Sequence, residues 1–177
     1  MKKSGASIRY AKALFRLASD TNKSREVLLD LKNLLQLLQS DSKLDILISN
    51  PVIKKDVKES LIRKIFDTKI SSLSLNFLLL LIKKGREAFL VEVINRYKEI
   101  YNTHNNISVI DIISANPLSD TFKEGVKRKI SVGGGEVILK EKIDKNLIGG
   151  FIIKKGDLQY DASIRKQLNN AKRAFKL

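Results

Sequence analysis

The hydrophobic period changes once along this chain, close to His104-Asn105-Asn106, and that change limits the fold more than any other feature. Before it, apolar residues recur at steps of three and four, the spacing of one face of an α-helix. After it, β-branched runs alternate with charged residues, as in strands. A chain ordered in this way is expected to be α+β, with a helical domain over residues 1–105 and a smaller mixed domain over residues 106–177.

Six helical segments are expected in the first part, which implies a six-helix bundle. The first runs from about Ser4 to Ser19 and buries Ile8, Ala11, Leu14 or Phe15, and Ala18. The second, Ser24 to Gln39, carries Val27, Leu28, Leu31, Leu34, Leu35 and Leu38 on one stripe. A short third, Leu44 to Ser49, stops at Asn50-Pro51, because proline disfavours helical geometry in the residue before it. The fourth is marked by Val57, Leu61, Ile62 and Ile65. The fifth, Leu73 to Lys84, is the most apolar and is expected near the bundle centre or under a partner. Lys83-Lys84-Gly85-Arg86 closes it: cations suit the negative end of the helix dipole, and glycine suits a left-handed residue after the last turn. The sixth, Glu87 to Asn102, carries Phe89, Leu90, Val93, Ile94, Tyr97, Ile100 and Tyr101.

In the second part, Ile107 to Ala115 reads as a strand ended by Asn116-Pro117. Ser119 caps a helix bearing Phe122, Val126 and Ile130. Gly133-Gly134-Gly135 is a plain connector, and Glu136 to Lys142 a second strand with Val137 and Leu139 on one face. Gly149-Gly150 permits a close backbone approach, Phe151 to Lys155 and Leu158 to Tyr160 form a hairpin about Gly156-Asp157, and Asp161 or Ser163 caps a last helix with Ile164, Leu168, Ala171 and Phe175 on one stripe.

Composition excludes several functions. With no cysteine there is no disulfide framework or thiolate chemistry, and a single histidine excludes a multi-histidine metal site. The longest apolar run, Phe77 to Ile82, is six residues, where a membrane-spanning helix needs about 20. The acid-free start, with Lys2, Lys3, Arg9, Lys12 and Arg16, reads as an amphipathic first helix retained in the mature protein, not a targeting segment. The net charge of +15 raises a nucleic-acid- or ribosome-associated module as the alternative function. The excess is diffuse, however: residues 1–105 hold 20 basic and 11 acidic side chains and residues 106–177 hold 14 and 8, without a recognition helix or a stacking motif.

Candidate chemistry is sparse. Asp144, Asp157 and Asp161 each sit where a turn or cap wants a short carboxylate. His104 reads as a solvated linker residue, and neither Lys83-Lys84-Gly85-Arg86 nor the glycine triplet has the spacing of a phosphate-binding loop. No catalytic, cofactor-binding or metal-binding set is expected.

The stretch Asp144 to Arg165 resembles the C-terminal signature of the delta subunit of F-type ATP synthases, the family of the oligomycin-sensitivity-conferring protein. Arg9 to Phe15, Asn50-Pro51-Val52-Ile53, Phe77 to Arg86 and Ser114 to Ser119 match the family in the same order. The glycine triplet is richer than the family pattern, and Lys145-Asn146 stands where the family often has a proline-containing turn.

The resemblance implies a stator subunit without catalytic activity, which links the catalytic head of the synthase to its peripheral stalk and so couples proton flow to ATP synthesis. It implies contact of the helical domain with N-terminal helices of the alpha subunits, and of the second domain with the b subunits. The family's groove between the first and fifth helices would fall on Tyr10, Ala11, Leu14, Phe77, Leu78 and Leu81, and the stalk contact near Phe151, Ile153 and the last helix, with the basic surplus meeting acidic stalk helices. Nucleic acid is not an expected partner, and association with the cytoplasmic face of a bacterial inner membrane would come only through the complex.

Overall fold

The computed structural model describes residues 5–131 and 134–174 and divides into two compact units, Met1–Tyr101 and Asn102–Leu177. Ser4, Gly133 and Phe175, which the sequence places in the first helix, the glycine connector and the last helix, lie outside the described residues.

Among the described residues the first unit is helical: α1 (Gly5–Asp20), α2 (Ser24–Ser40), α3 (Ser42–Ser49), α4 (Lys55–Phe66), α5 (Ser72–Lys83), a 3-10 turn (Glu87–Phe89) and α6 (Leu90–His104). One core runs through all of them. Ala11, Leu14 and Ala18 of α1 meet Val27, Leu31 and Leu34 of α2, with Ile62, Phe66, Leu78, Leu81, Ile82, Val93 and Tyr97 from the later helices. The Tyr97 hydroxyl reaches out of this core to donate to the Ser24 carbonyl at 3.0 Å, and burial pushes its pKa up.

Two boundaries and one buried face differ from the sequence reading for local reasons. α3 begins at Ser42 instead of Leu44, because the Asp41 carboxylate accepts from the Lys43 and Leu44 amides and caps it. The sixth helix is split, since the chain leaves α5 through Gly85 at φ 64°, where the Gly85 and Arg86 amides return to the Ile82 and Leu81 carbonyls and a 3-10 turn follows. In α4 the buried stripe is Lys58, Ile62 and Phe66, so Val57 is exposed and a lysine occupies the inside position.

The second unit is a four-stranded sheet in the order β2-β1-β3-β4, with β1 Ser108–Ser114, β2 Val137–Ile143, β3 Phe151–Lys155 and β4 Leu158–Asp161. β1 and β2 run parallel, joined through α7 (Asp120–Ile130), while β3 and β4 add antiparallel with Ile112 opposite Ile153 and Ile153 opposite Tyr160. α7 lays Phe122, Val126 and Ile130 on Ile110, Ile112, Val137, Leu139, Phe151 and Ile153. The Phe122 and Phe151 rings meet edge to face at 4.9 Å. Beyond β4, α8 (Ile164–Ala174) starts at Ser163, whose hydroxyl accepts from the Lys166 amide, while Asp161 accepts from the Ser163 amide. Gly150, at φ 79°, makes this junction possible: a Cβ there would lie 2.3 Å from the Ala162 carbonyl oxygen.

Candidate partner-binding grooves

Two helices of the first unit each carry a second, mainly apolar stripe that shares one residue, Leu14 or Phe77, with the buried core. On α1 it is Tyr10, Ala13, Leu14 and Leu17; on α5 it is Leu73, Asn76, Phe77 and Leu80. Both follow the spacing i, i+3, i+4, i+7 of one helical face, and together they line a groove of about 360 Å³. Leu14 and Phe77 form its buried floor, whereas Leu17 and Leu80 are 52% and 43% exposed at its rim. The Tyr10 ring stands edge-on to Phe77 with centroids 6.5 Å apart.

α5 is held at both ends. At its N-terminus the Ser71 hydroxyl accepts from the Ser74 amide and donates to Asp30 of α2 at 2.6 Å, and the Ser71 amide donates to the same carboxylate at 2.9 Å. At its C-terminus Lys55 donates to the Lys83 carbonyl at 3.2 Å. One turn along α4, Lys58 lies fully inside the unit, donating to the Ile48 carbonyl at 2.8 Å and to Glu87 at 2.7 Å. Thus α4 caps the last turns of α3 and α5 with two ammonium groups, a favourable use of cations at helix C-termini. Burial pushes the Glu87 carboxyl up, but the hydrogen bond from Lys58, its own backbone amide and the charges of Lys58 and Lys55 outweigh this and leave it below its ordinary value.

Of the residues expected at this groove, Tyr10, Leu14 and Phe77 line it, whereas Ala11, Leu78 and Leu81 point into the core with exposures of 0%, 1% and 0%. The physical reason is rotation: Leu14 and Phe77 lie where groove and core meet, whereas Ala11, Leu78 and Leu81 face fully inward. Ala13, Leu17, Leu73, Asn76 and Leu80, outside the set expected from the sequence, complete the lining. Their helical spacing is visible in the sequence, but spacing alone does not say which apolar face meets the bundle.

In the second unit Phe151 and Ile153 are half-buried under α7 and line a cleft of about 560 Å³ with Phe122, Gly125, Lys129 and Tyr160. α8 leaves Ile164 and Leu168 exposed beside the exposed cations Arg165, Lys166, Lys172 and Arg173. Asp144 and Asp161 serve as caps, accepting from the Asn146 and Ser163 amides, and bonds from Ser163 hold Asp161 below its ordinary pKa. His104 is exposed in the last turn of α6. Among the described residues no group of three His, Cys, Asp or Glu side chains is placed to hold a metal ion, and no helix is long and apolar enough to cross a membrane.

A helical unit with an open two-helix groove is followed by a small α+β unit. Known proteins with this order of elements form one family. The ATP synthase delta (OSCP) subunit family matches residues 6–175, so this chain belongs to that family, whose members are subunits of ATP synthase outside the catalytic ones. An ATP synthase subunit delta of Prochlorococcus marinus is 35% identical over 161 residues, covering 90% of this chain and 89% of the relative. A chain of the cryo-EM structure of the Toxoplasma gondii mitochondrial ATP synthase hexamer shares the fold with a TM-score of 0.77 and 21% identity, covering 98% of this chain and 99% of that one. A chain in the Polytomella F-ATP synthase, from a refinement focused on the F1 head and rotor, matches with a TM-score of 0.53 and 25% identity over 59% of this chain and 92% of its own.

Proposed function

We propose that this chain is a stator subunit without catalytic activity: its helical bundle binds the catalytic head, its α+β unit binds the peripheral stalk, and the link lets proton flow drive ATP synthesis. The α1/α5 groove carries the reading. A tether under torque needs large, slowly dissociating contacts, and an amphipathic helix laid between two apolar stripes supplies them by burying hydrocarbon. The guest is the N-terminal helix of an alpha subunit. The b subunits of the stalk meet the second unit, where exposed Ile164, Leu168 and Tyr160 lie among cations suited to an acidic helix. The complex places the chain on the cytoplasmic face of a bacterial inner membrane, held there through its partners.

Purification from native membranes tests this: the chain should come down with alpha, beta and b subunits, and recovery with ribosomes instead would sink it. The groove itself is best probed at Leu80, which is exposed; Leu80→Asp should abolish binding of an alpha N-terminal peptide with the bundle intact. Family membership leaves the nucleic-acid-binding alternative without support.

A further inference from the structure

The α5 stripe departs from hydrocarbon at one position. Leu73, Phe77 and Leu80 occupy its i, i+4 and i+7 places, but the i+3 place is Asn76. The corresponding place on α1 is Ala13, so the groove has a small residue on one wall and a primary amide on the other. Asn76 is exposed, and among the described residues its side-chain amide has no hydrogen-bond partner within the chain. Among the described residues, its amide and the Tyr10 hydroxyl are the polar side-chain groups lining this groove.

We infer that Asn76 fixes the register of the helix that docks here, selecting a guest that places a hydrogen-bonding side chain opposite it. This rests on the reading of the groove as a helix-binding site. A helix pressed against a purely apolar groove can shift by a turn and lose little, because hydrophobic contact is not directional. An amide in the seam removes that freedom. Covered by a leucine or valine of the guest it loses water and gains nothing, and only the register that brings a partner to it escapes the penalty. The same device, a single asparagine in an apolar seam, sets register and partner number in coiled coils at some cost in stability. Specificity therefore comes from what the amide forbids.

The probe is a labelled synthetic peptide spanning the N-terminal helix of the alpha subunit from the same synthase, titrated against the full chain. Peptides with each polar residue along the apolar edge changed singly to alanine form the second arm, and a peptide with its apolar repeat moved by one turn the third. In the natural chain one alanine replacement should weaken binding about tenfold, and the shifted peptide should bind at least tenfold more weakly. In Asn76→Leu both differences should vanish while the parent peptide still binds; in Asn76→Ser they should persist. Because Asn76 is exposed, its replacement leaves the bundle folded, which circular dichroism checks. An unchanged ranking of peptides in Asn76→Leu would overturn the inference and leave the helix-docking reading standing. Failure of the natural chain to bind any of the peptides would overturn both.

Discussion

The two units use different means to hold their shape. In the first, 22 buried hydrophobic residues among those described, drawn from every α-helix, form one cluster beside the groove. In the second, the cluster among the described residues holds three buried residues, Ile110, Ile112 and Val126, helped by half-buried neighbours, so strand register and backbone conformation at particular residues must contribute more. A densely cored bundle suits the proposed docking of a preformed helix. A thinly cored sheet with an exposed, basic last helix suits a surface completed by its partner.

Two adjacent leucines of α5 should separate core from groove most sharply. Leu81 is fully buried and Leu80 is 43% exposed, so Leu81→Ala should cost about 4 kcal/mol and Leu80→Ala under ~1 kcal/mol in denaturant unfolding of the full chain. Binding of an alpha N-terminal peptide should show the converse, with Leu80→Ala weakening it in a stably folded chain. Equal stability losses at the two positions would mean that the groove is part of the core.

The buried ion pair should come next. Lys58→Ala leaves Glu87 without its cation at a site where one carboxylate oxygen already has no partner, and should destabilise the bundle by about 3–4 kcal/mol. The double change Lys58→Met, Glu87→Leu should recover most of it. Because the folded pKa of Glu87 lies below its ordinary 4.5, its ionised form adds stability that is present above that pH and is lost as pH falls through the depressed value. Stability measured below about pH 4.5 should therefore fall less steeply in the double variant than in the natural chain. A parallel fall would assign the acid sensitivity to other carboxylates.

For the second unit the matching weak point is backbone. Gly150→Ala forces a Cβ at φ 79° to within 2.3 Å of the Ala162 carbonyl, and should cost about 2–3 kcal/mol through the sheet unit alone. Peptide binding by the helical groove should survive. Loss of groove binding in Gly150→Ala would show that the two units are not independent.

Much of this was legible in the sequence because it follows periodicity. The leucine stripe of α2 and the Ser119 cap belong to single elements, and the opposed Ile112 and Ile153 of the sheet each lie in a strand marked by its own local pattern. What was not legible depends on rotation about a helix axis between two apolar faces. Ala11, Leu78 and Leu81 are as apolar as Leu17, Leu73 and Leu80, and nothing in composition says which set meets the bundle. Lys58 was equally hidden, because its burial depends on Glu87 and the Ile48 carbonyl, one 29 and the other 10 residues away.

The smallest effect separates the units by one residue type in one role. Ser71 and Ser119 both cap a helix by accepting from the amide three residues on, at 3.3 Å in each case. Ser119 is exposed, and its hydroxyl otherwise meets only Thr121 nearby in sequence, so Ser119→Ala should cost no more than ~1 kcal/mol. Ser71 also donates to Asp30 across the bundle at 2.6 Å, and its loss leaves a half-buried carboxylate short of a donor. Ser71→Ala should therefore cost about 2 kcal/mol, and in an Asp30→Ala background its cost should shrink toward that of Ser119→Ala. If the two serines cost the same in the natural chain, the cross-helix bond adds nothing to the cap, and α5 is held in place by its apolar face alone.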